Sequence, residues 1–222
     1  MSQHLLRDLE RVKKAITTLG AMVEEATNKA ITAFLERRSD LAEAVIAGDS
    51  KIDEKEIEVE DECLKTLALH QPVAGDLRFL ITVLKVNNDL ERIGDLAVNI
   101  AERSAYLAEQ KPLAAPSQLR QMADSVRTML NSCLDALVER DPAKAKEVRR
   151  MDDAVDSAHR TIWSELQDKM VADPAVAKRA NHVLSAAYQL ERIADHATNI
   201  AEDIIFLVEG QIVRHGPVTH EH

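Results

Sequence analysis

Two segments that lie 100 residues apart in the chain are nearly identical. Residues 90–102 read LERIGDLAVNIAE and residues 190–202 read LERIADHATNIAE, with ten of the 13 positions the same. A second match, between Asp49-x3-Asp53 and Asp152-x3-Asp156, recurs at a spacing of 103 residues. Repeats at a nearly constant spacing indicate that one structural unit occurs twice. The fold therefore has to accommodate two copies of that unit.

Composition indicates that each copy is helical. Aromatic residues make up only 3 % of the chain, and 6 Gly and 6 Pro interrupt long stretches rich in Ala, Leu, Glu, Lys and Arg. Sheets need turn residues far more often than this, whereas such stretches favour helix. We predict six long helices, which begin near Ser2, Asp40, Gly75, Ser117, Asp141 and Asp173.

The helix ends carry recognisable capping residues. Asp40 with Glu43 three residues later matches a capping box, and Gly210 suits the end of the sixth helix. The other predicted N-cap residues are Ser117, Asp141 and Asp173. We therefore predict an all-α fold of two tandem three-helix bundles related by internal duplication. The bundles span 1–110 and 116–210, and residues 211–222 form a flexible tail.

Charge and cysteine content limit the possible functions. The net charge of −10 disfavours general nucleic-acid binding, because acidic surfaces repel phosphates. No apolar run approaches the length of a membrane span, which predicts a cytoplasmic protein without membrane insertion. Cys63 and Cys133 lie far apart at apolar positions, so we expect buried, reduced thiols.

Acidic residues form a stripe along the last helix of each copy. At about 100° per residue, Glu91, Asp95 and Asn99 fall within about 80° of one another, and Ile93 and Ile100 lie on the opposite, apolar side. The stripe residues of the sixth helix are Glu191, Asp195 and Asn199. The corresponding carboxylates on the middle helix of each copy are Asp49, Asp53, Asp152 and Asp156.

The stripes allow two interpretations, a solvated acidic face or a metal site. Like charges four residues apart destabilise a helix, and Asn99 and Asn199 are poor helix formers. Facing carboxylates offer an oxygen-rich site that suits Mg²⁺, Ca²⁺, Mn²⁺ or iron rather than structural zinc. His159 or His196 would shift the second site toward transition metals. We therefore predict a metal site in each copy and keep the solvated face as the alternative.

The duplicated D-x3-D and E-R-I-x-D-x3-N-I-A-E motifs resemble those of the PhoU family over about residues 4–209. The resemblance implies multinuclear metal clusters on the bundle surface and leaves iron, manganese, magnesium and zinc open as the metal. The residues it implicates are Asp49, Asp53, Glu91, Asp95 and Asn99 in the first copy and Asp152, Asp156, Glu191, Asp195 and Asn199 in the second. The second copy has His159 and Trp163 where the first has Glu56 and Glu60, so equal occupancy of the two sites does not follow.

The same resemblance implies a function. Proteins of this family are negative regulators of the phosphate-starvation (Pho regulon) response and of phosphate uptake. They act by contact with the ATPase subunit of the phosphate ABC transporter and with a phosphate-sensing histidine kinase. We accordingly expect a homodimer in the cytoplasm, peripheral to the inner membrane through these partners.

Two other classes of protein are alternatives to a regulator of this family. A ferritin-like di-iron oxidase or metal store uses Glu-x-x-His on paired helices, but here Glu191 is followed by Asp195-His196 and the first copy has Leu96 in place of His196. A helical scaffold with an unoccupied acidic face is the other. The sequence shows no nucleophile elbow, P-loop or Gly-rich phosphate loop, so we predict that the chain is not an enzyme.

Overall fold

The computed structural model describes residues 3–211, and these form six α-helices and one short 3₁₀ helix with no strand. The predicted all-α fold with six long helices is therefore confirmed. The predicted tail, residues 211–222, lies outside the described residues except for its first position. The helices are α1 (Gln3–Glu36), α2 (Ser39–His70), α3 (Ala74–Ala108), α4 (Leu119–Glu139), α5 (Pro142–Ala172) and α6 (Ala177–Glu209). The 3₁₀ helix, Pro174–Val176, precedes α6.

The helices pack in two layers. One layer is the row α2, α3, α6, α5, in which each helix contacts the next, and α3 and α6 meet at its centre. The other layer consists of α1 and α4, which contact each other. Helix α1 covers α2 and α3, and α4 covers α5 and α6. Two three-helix units, α1–α3 and α4–α6, therefore share one continuous core.

Aliphatic side chains fill that core, as the low aromatic content predicts. Leu19, Leu80 and Leu90 are fully buried, and both cysteines are free and buried. Burial raises the pKa of the Cys63 thiol to about 12, so it stays protonated and unreactive. Within residues 3–211, no helix combines the length and apolar character that crossing a membrane requires.

The duplication is visible in the backbone as well as in the sequence. Arg37 directly follows α1 and Arg140 directly follows α4, and the two lie 103 residues apart. Both adopt left-handed backbone angles, with φ of 58° and 55°, a conformation that non-glycine residues rarely adopt. The first helix of each unit therefore ends with the same sharp turn.

The interface between α3 and α6 has approximate internal two-fold symmetry. Lys85 of α3 donates to Asp203 of α6 over 3.2 Å. The residues 100 positions away make the reciprocal contact, because Arg103 of α3 donates to Ser185 of α6 over 3.3 Å. Arg78 lies over the ring of Phe206 and Lys178 lies over the ring of Tyr106 in the same reciprocal way. Equivalent residues of the two units therefore meet at the centre of the molecule.

Only some of the predicted helix caps are present. The Asp141 carboxylate accepts from the backbone amides of Ala143 and Lys144, and Gly210 ends α6 with a φ of 73°. These two predictions are confirmed.

Two other cap predictions are wrong. No side chain caps α2 at its N-cap, and the Asp40 carboxylate accepts instead from the Arg38 guanidinium at 2.6 and 2.8 Å. Ser117 precedes the start of α4 and bonds to Glu165 of α5. The predicted cap at Asp173 is present, because its carboxylate accepts from the Ala175 amide, but the helix it begins is the short 3₁₀ helix that leads into α6. At Asp40 and Ser117, the side chain expected to cap the helix instead bonds to a charged residue, Arg38 or Glu165, that the local pattern did not include.

Candidate metal centre

The first acidic cluster lies where α2 and α3 run side by side. Asp49 and Asp53 of α2 meet Glu91 and Asp95 of α3, and we call these four residues the first acidic cluster. Burial, followed by the charges of Asp53 and Asp95, raises the pKa of Asp49. Burial, followed by the charge of Asp95, raises the pKa of Glu91. The fold therefore holds these carboxylates close enough to oppose one another's ionisation.

Two packing features bring the helices into this register. Gly94 has no side chain, and a Cβ atom there would lie only 3.2 Å from Cγ2 of Ile52, so α2 approaches α3 closely at this point. The buried Asn87 amide donates to the backbone carbonyl of Glu56 at 3.1 Å and to its carboxylate at 2.8 Å. Helical periodicity alone does not reveal this cross-helix bond, because it depends on how α2 aligns with α3.

Arg92 partly neutralises the first acidic cluster at its rim. Its guanidinium lies 3.3 Å from the Glu91 carboxylate and 3.1 Å from that of Asp95. Half of the Arg92 side chain is exposed, so solvent screens these ion pairs. Asn99 lies one turn further along α3 and is half-buried.

The second acidic cluster lies between α5 and α6. It comprises Asp152 and Asp156 of α5 and Glu191 and Asp195 of α6. Burial, followed by the charges of Asp195 and Asp156, raises the pKa of Asp152 to about 6. Burial and then the same two charges raise the pKa of Glu191. The Thr198 hydroxyl lies beside this carboxyl and lowers its pKa, which offsets part of the rise. Oδ1 of Asp152 is nevertheless buried without a well-aligned hydrogen bond to any described residue, and such an atom favours a bound cation or a proton.

The two histidines singled out in the sequence have different positions. His159 lies in the second cluster, where burial lowers its pKa and the nearby charge of Asp156 raises it. The His196 ring instead bonds to Asp89 of α3 over 2.8 Å. His196 therefore contributes to the interface between α3 and α6. Burial raises the pKa of Asp195 in the second cluster, and the nearby charge of His196 offsets part of that rise.

Asn199 also faces the centre of the molecule. It lines an open groove of about 590 Å³ between α3 and α6, together with Glu202 and with Asn88 of α3. Glu202 in turn pairs with Arg149 of α5 over 3.2 Å. The structure thus groups the four carboxylates of each cluster, but it places Asn199 beside the neighbouring unit.

The donor groups fit a hard cation in their chemistry. Each cluster offers four carboxylates, and the second adds the half-buried imidazole of His159. Among residues 3–211, however, no three His, Cys, Asp or Glu side chains converge closely enough to hold a metal ion in their present rotamers. Metal binding would therefore require the carboxylates to turn toward a common point. That movement would increase their mutual repulsion, and the charge of the bound cation would have to offset it.

The fold and the paired clusters define a class of protein: a duplicated six-helix protein with one acidic surface site per unit. The sequence profile described as the PhoU domain matches residues 16–104 and 119–204. This chain belongs to the PhoU family.

Several relatives match over nearly their whole length. A protein of Aquifex aeolicus named phosphate-specific transport system accessory protein PhoU homolog is 41 % identical, covering 95 % of this chain and 96 % of the relative. A Pseudomonas putida protein of the same name is 39 % identical over 97 % of this chain and 84 % of its own length.

Solved structures agree with these matches. The crystal structure of PhoU from Pseudomonas aeruginosa superimposes with a TM-score of 0.90 at 36 % identity, covering 92 % of this chain and 99 % of that one. The phosphate transport system regulatory protein PhoU from Streptococcus pneumoniae gives a TM-score of 0.86 at 29 % identity, covering 94 % and 99 %.

Proposed function

We propose that this chain is a negative regulator of the phosphate-starvation response and of phosphate uptake. It acts by contact with the ATPase subunit of a phosphate ABC transporter and with a phosphate-sensing histidine kinase. The observation that carries this proposal is the match over 95 % of the chain to a phosphate-specific transport system accessory protein. As part of the same proposal, the chain works in the cytoplasm, peripheral to the membrane through these partners, and it forms a homodimer.

We also propose that each acidic cluster holds metal ions. In the first unit Asp49, Asp53, Glu91 and Asp95 would supply the carboxylates, with Asn99 as a neutral oxygen donor. In the second unit the equivalent carboxylates are those of Asp152, Asp156, Glu191 and Asp195. Asn199 would have to turn away from the groove between α3 and α6 to join them. A bound cation would supply positive charge that cancels the repulsion between facing carboxylates. The chain's own contribution is to hold two helices at the spacing that keeps the carboxylates opposed.

A regulatory protein is favoured over a di-iron oxidase. A ferritin-like centre needs a histidine three residues after a glutamate on paired helices, and His196 bonds to Asp89 rather than to Glu191. His159 lies near Asp156 of the second cluster, and its counterpart in the first unit is Glu56. These arrangements favour binding over redox chemistry.

Replacing Glu91→Ala together with Asp95→Ala tests the metal assignment. We expect the purified double variant to lose the metal of the first cluster, because half of its carboxylates are gone. Its helicity should stay unchanged, since both side chains lie outside the core. Metal content per chain is measured by elemental analysis after loading with iron, manganese, magnesium or zinc.

The matched control is Glu43→Ala with Glu54→Ala, which removes two exposed carboxylates of α2 outside the first cluster. This control should keep the full metal content. Equal metal content in both double variants would contradict the assignment of the site.

A further inference from the structure

The first unit exposes an apolar patch on the outer face of α2 and α3. Ile57 and Leu64 of α2 are 59 % and 51 % exposed, and Leu77 and Ile81 of α3 are 40 % and 38 % exposed. We call these four residues the first-unit apolar patch. Helices α2 and α3 are adjacent and antiparallel, and the bond between Asn87 and Glu56 sets their alignment. That alignment places Leu64 beside the turn of α3 that carries Ile81.

The second unit does not have this patch. The equivalent positions there are Arg160, Gln167, Ala177 and Asn181. The two units share a fold and both acidic stripes, so folding does not require large apolar side chains at these positions. Contiguous apolar surface on a protein reduces solubility and commonly marks an interaction site. The second unit instead exposes the aromatic residues Trp163 of α5 and Tyr188 of α6. The aliphatic patch is therefore particular to the first unit and needs an explanation of its own.

Acidic residues border the patch. Helix α2 carries ten Asp or Glu residues and three Lys residues, whereas α5, its counterpart, carries six acidic and six Lys or Arg residues. Glu60 and Asp61 lie between Ile57 and Leu64 along α2, and both are exposed. A complementary surface would therefore present apolar side chains flanked by Lys or Arg.

This charge pattern selects among possible occupants. An anionic lipid surface would be repelled by the acidic border, as would nucleic acid. The same patch of a second copy would bring two acidic α2 helices together. A basic protein segment is the occupant that matches both the apolar side chains and the surrounding charge.

We propose that the first-unit apolar patch docks a basic amphipathic helix of a partner protein. Such a helix can lie across the exposed faces of α2 and α3 and bury its apolar face on the four side chains. Its Lys and Arg residues then face the acidic border, which speeds association and sets its orientation. This inference rests on the proposed regulatory contact and names the face and the partner chemistry that such a contact would use.

A synthetic peptide tests the proposal directly. The probe is a fluorescent amphipathic helix of about 18 residues, or five turns, with Leu on one face and Lys on the other. Binding to the full chain is followed by fluorescence anisotropy. We expect one site per chain, an affinity that falls as salt rises, and about tenfold weaker binding to Ile57→Ser with Leu64→Ser. Both side chains are exposed, so the variant should fold, and circular dichroism checks this.

Two controls are matched to these changes. Val171→Ser with Val208→Ser removes exposed apolar side chains from the second unit and should leave peptide binding unchanged. A peptide with Glu in place of Lys should not bind. Equal binding to both double variants would overturn the proposal. So would sedimentation data in which Ile57→Ser with Leu64→Ser dissociates a dimer, because the occupant would then be a second copy.

The peptide measurement is independent of phosphate regulation. If the peptide fails to bind while deletion of the gene still activates the starvation response, the docking face is wrong and the regulatory proposal stands. If the peptide binds as expected but deletion has no effect on that response, the regulatory proposal fails and the docking face stands.

Discussion

Burial and two neighbouring carboxylates, Asp195 and Asp156, raise the pKa of Asp152 to about 6 from an ordinary value of 3.8. In the first unit, Asp49 is raised for the same kind of reason. At neutral pH the fold therefore holds Asp152 ionised against its surroundings. Thr198 offsets only part of this effect, and Oδ1 of Asp152 makes no well-aligned hydrogen bond to any described residue. In the metal-free protein, ionised Asp152 therefore reduces stability.

Asp152→Asn should stabilise the metal-free protein at neutral pH. A raised carboxyl pKa means that the folded state binds more protons than the unfolded state between about pH 4 and 6. The cost of ionising Asp152 is thus absent near pH 4 and fully present above pH 6. We expect a gain of about 1 kcal/mol at pH 7.5 for this half-buried group, and no gain at pH 4. Urea unfolding in the presence of a chelator measures it.

Asp153→Asn is the control for this prediction. Asp153 is exposed and lies next to Asp152 in the sequence, so its replacement should change stability by less than about 0.5 kcal/mol. With divalent metal added, Asp152→Asn should lose its advantage, because the wild type gains binding energy that the variant lacks. An Asp152→Asn variant less stable than wild type in chelator at pH 7.5 would contradict the account.

The starts of the helices show what the sequence could and could not predict at the scale of elements. Asp141-Pro142 was predicted correctly because a local pattern determines that cap. Asp40 also lies in a local capping pattern, with Glu43 three residues later, yet its carboxylate pairs with Arg38. Ser117 bonds to Glu165, which is 48 residues away in the sequence. Local patterns predict caps only where no distant or charged side chain competes for the capping group.

The contact between α2 and α3 and the equivalent contact between α5 and α6 differ in side-chain size at two facing positions. The first unit pairs Ile52 with Gly94, and the second unit has Val155 and Ala194 at the equivalent positions. A larger residue on the middle helix thus accompanies a smaller one on the last helix. This exchange suggests that the two positions are energetically coupled.

Gly94→Ala should destabilise the protein by about 1 kcal/mol. The helix gains about 1 kcal/mol from losing glycine, but the new methyl lies 3.2 Å from Cγ2 and 3.6 Å from Cδ1 of Ile52, and overpacking costs about 1–3 kcal/mol. Ile52→Val alone should cost about 1 kcal/mol. Together, the two changes should cost about 1 kcal/mol less than their sum, which a double-mutant cycle in urea measures.

Gly48→Ala provides the comparison, because a Cβ atom at Gly48 meets nothing within 4 Å. This change in α2 should stabilise the protein by up to about 1 kcal/mol. Strict additivity between Gly94→Ala and Ile52→Val would show that the two helices do not press against each other here.

The repeat predicted two equivalent units but not how they join at the scale of the whole molecule. Tandem units could have been connected only by a linker, whereas α3 and α6 meet in reciprocal contacts such as Lys85 with Asp203 and Arg103 with Ser185. These pairs are not visible as motifs, because each joins residues more than 80 positions apart. These pairs arise because α3 and α6, which have similar sequences, pack against each other through their apolar faces.

The candidate site was predictable in part for the same reason. Carboxylates spaced by four residues share a helix face, so the stripes could be read from the sequence. Their alignment across α2 and α3 depends on the bond from Asn87 to Glu56. The assignment of His196 to Asp89 depends on the interface between the units. Periodicity describes single helices, and the site is built from pairs of them.

The most direct test of the central claim is a reporter assay in the native host. The gene is deleted, and alkaline phosphatase activity is measured in phosphate-rich medium, with the wild-type gene restored as the control. A negative regulator predicts high phosphatase activity in the deletion strain and a return to the low baseline on restoration. Low activity that does not change on deletion would contradict the proposal that this chain restrains the phosphate-starvation response.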